Sequence, residues 1–135
     1  MITRLGLVCV WVFDQDVARE FYVDTLGCKV VGDMDFDGMH WLSVSVPDQP
    51  DVQFALNVPG PPIMDEASAA SIRDLVAKGY LGHGFTVDDC AKTYEELKAR
   101  GVDFVEAPEE RVYGIDAAFR DPFGNSWRMT QLKPM

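Results

Sequence analysis

Cysteine is scarce in this chain. Cys9, Cys28 and Cys90 are odd in number, widely spaced and free of any Cys-x-x-Cys pair, so neither a disulfide framework nor a zinc ribbon is indicated, and each reads as a small buried hydrophobe. Positive charge is short as well. Twelve Lys and Arg stand against 22 Asp and Glu, a formal charge of −10, which repels phosphate backbones and anionic lipid and argues against nucleic acid or a membrane surface as partner. The acidic excess could attract a cationic ligand, or merely keep the protein soluble. No apolar run approaches the ~20 residues that span a bilayer. The start Met1-Ile2-Thr3-Arg4-Leu5-Gly6 is not a charged head leading into a long apolar stretch, so a cytoplasmic location is the expectation. Histidine is rarer still, with only His40 and His83.

What the chain does contain is an internal repeat. In 135 residues, the length of one ordinary domain, the segment Leu7 to Asp14 lies over Gly82 to Asp89. Both are strand-like, with alternate apolar residues (Val8, Val10, Val12; Phe85, Val87), and both end in an aspartate suited to cap a helix. After Asp14, Val17/Phe21 and Ala18/Tyr22/Leu26 recur at helical spacing and Gly27 supplies a stop. After Asp89, Ala91, Tyr94 and Leu97 share a face and Gly101 supplies the same stop. Three strand candidates follow each helix: 28–33, 39–46 and 52–58, then 102–106, 115–120 and 126–131. The chain therefore divides into a first module over 1–58, a linker over 59–81 and a second module over 82–135. Within the linker, Pro59-Gly60-Pro61-Pro62 breaks regular structure and a helix is expected from Glu66 to Lys78, capped near Asp65, as a pocket flap or a surface connector. The predicted class is α+β: two tandem βαβββ modules whose mixed sheet curves around a cavity.

Strand alternation assigns faces. In the first module Val8, Val10, Val12, His40, Leu42, Val44, Val46, Val52, Phe54 and Leu56 turn toward the helix. Leu7, Cys9, Trp11, Met39, Trp41, Ser43, Ser45, Gln53, Ala55 and Asn57 take the far face. The second module's far face holds Gly82, Gly84, Thr86, Asp116, Ala118, Arg120, Ser126, Arg128 and Thr130, opposite Phe85, Val87, Ile115, Ala117, Phe119, Trp127 and Met129. Large aromatics beside a few hydrogen-bonding groups suit a small-molecule cavity better than a solvated sheet; Trp11 and Trp41 in a dimer interface is the other reading, and both can hold if a second subunit closes the cavity.

The two βαβββ units, Phe21-Tyr22 followed by Leu26-Gly27, the stretch Leu97-Lys98-Ala99-Arg100-Gly101 and the turn Asp121-Pro122-Phe123-Gly124-Asn125 together resemble the vicinal oxygen chelate superfamily. That group includes glyoxalase I, extradiol dioxygenases, fosfomycin-modifying enzymes and bleomycin-resistance proteins. Its catalytic members hold a divalent metal with four side chains, one from the first and one from the last strand of each half. Carried over by register, those positions are Leu7, Gln53, Gly82 and Arg128. Leucine and glycine offer no ligating atom and arginine is a fixed cation, so no metal and no other cofactor is expected. A one-residue slip at His83 is the risk to that expectation.

Without a metal, the resemblance implies the family's binding members, proteins that sequester an antibiotic between two subunits. The expectation is a homodimeric drug-binding or self-resistance protein with no catalytic residue, whose ligand is a small aromatic or polycyclic natural product. Trp11 and Trp41 would stack on it, Phe36 and Tyr113 would be further walls, and Ser43, Gln53, Asn57, Asp116 and Arg128 would supply polar contacts. The competing expectation is an enzyme, either a metal-dependent lyase, isomerase or dioxygenase or a metal-free one using Asp116, Glu106 or Tyr113. A ligand sensor or scaffold is the third.

Overall fold

Two aspartates start the helices that set each module. The Asp14 carboxylate accepts from the Val17 N–H at 3.0 Å and that of Asp89 from the Lys92 N–H at 3.0 Å, each satisfying a backbone donor that the first helical turn leaves unpaired. In the computed structural model, which describes residues 1–134, the chain runs β1 (Leu7–Trp11), α1 (Gln15–Arg19) continuing as a π-helix over Glu20–Thr25, β2 (Lys29–Phe36), β3 (Met39–Ser45), β4 (Gln53–Asn57), α2 (Glu66–Ala77), β5 (Gly82–Thr86), α3 (Cys90–Ala99), β6 (Asp103–Arg111), β7 (Gly114–Arg120) and β8 (Ser126–Leu132). It separates into two compact units, Met1–Asp74 and Leu75–Met135.

The first unit holds a four-stranded sheet in the order β1-β4-β3-β2, with β1 parallel to β4 and the other pairs antiparallel. In the second the order is β5-β8-β7-β6, with the same directions. The architecture is α+β, two tandem βαβββ modules. Alternation selects the cores: Val10, Val12, Leu42, Val44, Phe54 and Leu56 are buried with Ala18 and Tyr22 in the first unit, and Ala117, Phe119, Trp127 and Met129 with Leu97 in the second. There the Phe85 and Trp127 rings stack at 4.2 Å. The expected capped helix after the first module is present, with Asp65 accepting from the Ser68 N–H at 2.7 Å.

Among the differences from the sequence expectation, three concern local winding, an edge strand and a histidine. The first helix widens into i→i+5 bonding, Leu26 N–H to Phe21 C=O at 2.9 Å, and consecutive Phe21 and Tyr22 are both buried, their rings 5.1 Å apart edge to face with Tyr22 reaching Phe54 at 5.9 Å. A few apolar positions cannot separate this winding from an ordinary α-turn. Strand β6 continues past Glu106 through Pro108, because it is an edge strand and its pairing with β7 shifts register between Glu106 and Glu109. His40, expected in the core, is exposed at the β2–β3 hairpin end, with Nδ1 2.6 Å from Asp35 Oδ1 and Nε2 2.7 Å from Asp33 Oδ1.

Candidate functional site: an aromatic sheet face and an arginine-held carboxylate

Strand pairing settles which side chains share the first module's open face. Trp41 lies opposite Met34, Ser43 opposite Gly32 and Ala55, Leu7 opposite Gln53 and Trp11 opposite Asn57. Paired residues project to one side of a sheet, so Trp11, Trp41, Ser43, Gln53 and Asn57 do share this face, and Phe36, paired with Met39, joins them. The Trp41 indole donates from Nε1 to Ser43 Oγ at 3.2 Å, and that hydroxyl donates to Gln53 Oε1 at 2.8 Å. Phe36 flanks the indole with ring centroids 6.5 Å apart. Asn57 Nδ2 donates to Cys9 Sγ at 3.6 Å, while its buried Oδ1 has no hydrogen-bond partner.

Sequence reasoning missed Gly32. A Cβ there would stand 2.7 Å from indole Cδ1 and Nε1 and 2.9 Å from Ser43 Oγ, so the bare backbone of β2 is the surface on which Trp41 lies. The signal was present, since Gly32, Met34 and Phe36 are two apart in one strand, but β2 was expected to end at residue 33.

Tyr113, Asp116 and Arg128 come together in the second unit. Asp116, 1% exposed, accepts from the Tyr113 hydroxyl, from Arg111 Nε at 3.3 Å and from Arg128 Nη1 at 3.2 Å. Arg128 also pairs with Glu106 at 2.9 Å and Arg111 with Glu109 at 3.3 Å. Burial opposes ionisation of Asp116, but donation from Tyr113 and Arg111 and the fields of both arginines outweigh it and hold the carboxyl below its ordinary value. The Tyr113 hydroxyl, bound to that carboxylate, is pushed up. A carboxylate so stabilised is a poor proton acceptor and the phenol a poor acid, which weighs against acid–base chemistry here. Arg111 escaped the sequence reading because its contact depends on the β6–β7 hairpin register.

The thiols are equally unsuited to nucleophilic work. Burial raises Cys28 to about 11; Cys9 is exposed rather than buried as expected, and partial desolvation still outweighs the hydrogen bond from Asn57 and raises its thiol.

The positions that the family resemblance implies for a metal do not fit one. Leu7 pairs with Gln53 as expected, but Gly82 pairs with Ser126, and Arg128 lies one step on, opposite Gly84. A Cβ at Gly82 would fall 1.8 Å from Ser126 O, so that position has no room for a ligating side chain. The Ser126 hydroxyl is given to Gly79 O at 2.8 Å. His83 pairs with Trp127, its ring 5.5 Å from the indole, so it projects to the same side of the sheet as Trp127, with its own side chain exposed. Among the described residues no group of three or more His, Cys, Asp or Glu could hold a metal ion.

On the helix side of the first sheet, a hollow of about 560 Å³ is lined by Asp14, Gln15, Arg19, Asp33, His40 and neighbours. Arg19 grips Asp33 at 2.6 Å. Bonding to Arg19 first and His40 second lowers Asp33, while Asp35 and then Asp33 raise His40 against its partial burial.

Residues 4–129 match the Glyoxalase/Bleomycin resistance protein/Dioxygenase superfamily, and the chain belongs to it. The crystal structure of UcmS2 is similar at 41% identity and TM-score 0.91, covering 96% of this chain and 98% of that one. TnmS3, an antibiotic binding protein from Streptomyces sp. CB03234, is similar at 28% identity and TM-score 0.78, covering 98% of both chains. An uncharacterized protein of Shewanella frigidimarina is 29% identical, covering 97% of this chain and 93% of its own. Among the described residues no helix is long and apolar enough to cross a membrane.

Proposed function

We propose that this chain binds and sequesters a small aromatic or polycyclic natural product, without a metal, as a resistance or self-protection protein. The observation that carries the reading is the Trp41 indole laid on Gly32 and tied through Ser43 to Gln53. An aromatic surface fixed before the ligand arrives loses little entropy on binding, and Trp11 and Phe36 extend it. The likeness to TnmS3, an antibiotic binding protein, supports the same reading. On the second module, taken by itself, Tyr113, Asp116 and Arg128 are proposed as polar ligand contacts. A homodimer is proposed with it, because Val31, Met34 and Phe36 stand exposed on edge strand β2.

Titrating a panel of polycyclic natural products against tryptophan emission tests this. The expected result is saturable quenching at one ligand per chain, weakened at least about ten-fold by Trp41→Ala, with the ligand recovered chemically unchanged. An altered ligand would show an enzyme instead, and Trp41→Ala binding as tightly as the parent would remove the platform. Sedimentation as a monomer at micromolar concentration would remove the dimer.

A further inference from the structure

The hydrogen bonds that pin Trp41 run in one direction. An indole N–H can only donate, so Ser43 Oγ accepts from it. Ser43 is fully buried, and its own hydroxyl hydrogen must find an acceptor nearby. Gln53 Oε1, 2.8 Å away, is that acceptor. Turning the Gln53 amide over would set its NH₂ against a hydroxyl that already receives the indole proton, leaving the hydroxyl hydrogen buried and unmet. The amide is therefore oriented by Trp41, two bonds upstream. Its Nε2 makes no other hydrogen bond among the described residues, and the side chain is only half-buried, facing Leu7 across the β1–β4 pair.

We propose that Gln53 presents a fixed, neutral donor to the molecule bound over this face, and that the ligand is a planar ring system bearing a carbonyl oxygen, of the ketone, quinone or amide class. This rests on the small-molecule reading above and names the chemistry of its ligand. The donor stands one hydroxyl away from the indole, within reach of the edge of a ring stacked there. A ligand that offers only donors at that edge meets a like group, whereas a carbonyl oxygen completes the relay.

A matched pair of probes tests this. Fluorenone and fluorene are planar tricycles that differ by one carbonyl, and equilibrium dialysis measures both. The parent chain is expected to bind fluorenone roughly ten-fold more tightly. Gln53→Glu still accepts from Ser43 but turns an acceptor outward, so it should abolish the preference for fluorenone over fluorene. Should Gln53→Glu lose fluorene as well, Gln53→Met, which deletes both the outward donor and the acceptor of the Ser43 hydroxyl without adding charge, decides by the same preference. Equal binding of the two probes to the parent, or a preference that survives these substitutions, overturns the inference and leaves the aromatic-binding reading standing. Failure of both probes to bind the parent overturns that reading and the inference with it.

Discussion

Gly32 and Trp41 compete for the same space: a Cβ at position 32 would lie 2.7 Å from both Cδ1 and Nε1 of the indole. Gly32→Ala should therefore lift the indole off β2 and break its bond to Ser43. The expected cost is about 1–3 kcal/mol of overpacking, with a changed tryptophan emission maximum and ligand affinity reduced as far as in Trp41→Ala. Urea denaturation and the emission spectrum check it. An unchanged spectrum with full stability would mean that the ring does not need the bare backbone.

Asp116 contributes to the pH dependence of stability on the acid side. Its carboxyl is held below the ordinary 3.8, so the stabilisation is present above that value and is lost as pH falls through the lower folded value. Asp116→Asn should destabilise the protein by about 1–3 kcal/mol at neutral pH, because Arg111 and Arg128 lose a shared anion, and the deficit relative to the parent should shrink in acid. Denaturant titrations at pH 7 and below 3.8 measure this. A deficit independent of pH would place the cost in packing.

His40 behaves oppositely. Its folded value lies above the ordinary 6.5, so its contribution is complete below 6.5 and is lost as pH rises through the raised value. His40→Gln should be less stable than the parent at pH 6, with the gap closing toward pH 9. An imidazole titration by NMR in the parent should show the raised midpoint, and a midpoint at or below 6.5 would contradict the bonds to Asp33 and Asp35.

Gly82→Ala should be among the most disruptive single-methyl changes in the second module. The added carbon would meet a backbone oxygen at 1.8 Å, which a rotamer change cannot relieve, so β5 must part from β8 at a cost at the upper end of the ~1–3 kcal/mol seen for overpacking, or beyond it. Hydrogen exchange of β5 and β8 amides reads that separation directly. Near-parental stability would show that the strand can move aside.

Much of this was legible in the chain itself. The repeat of strand, capped helix and glycine stop predicted both modules, and alternation assigned Trp11, Trp41, Ser43, Gln53 and Asn57 to one face because side chains in a strand alternate whatever the strand pairs with. His40 was misplaced by that rule. Alternation fixes the side of the sheet, while burial also depends on whether another element covers that end of the strand. Arg111 and Gly32 were missed for a related reason: each acts through a residue on a neighbouring strand, and register is not written in either strand alone.

By itself the sequence determined the tandem modules, which follow from residue identity and spacing, and the resemblance to the family, which implies a set of metal positions that hold little ligating chemistry here. Tertiary structure alone decided that Trp41 lies on Gly32, that its proton passes to Ser43 and Ser43's to Gln53, and that Asp116 gathers a tyrosine and two arginines. Such contacts join residues that are not chain neighbours, so they exist only once strand register has set distances of a few ångströms.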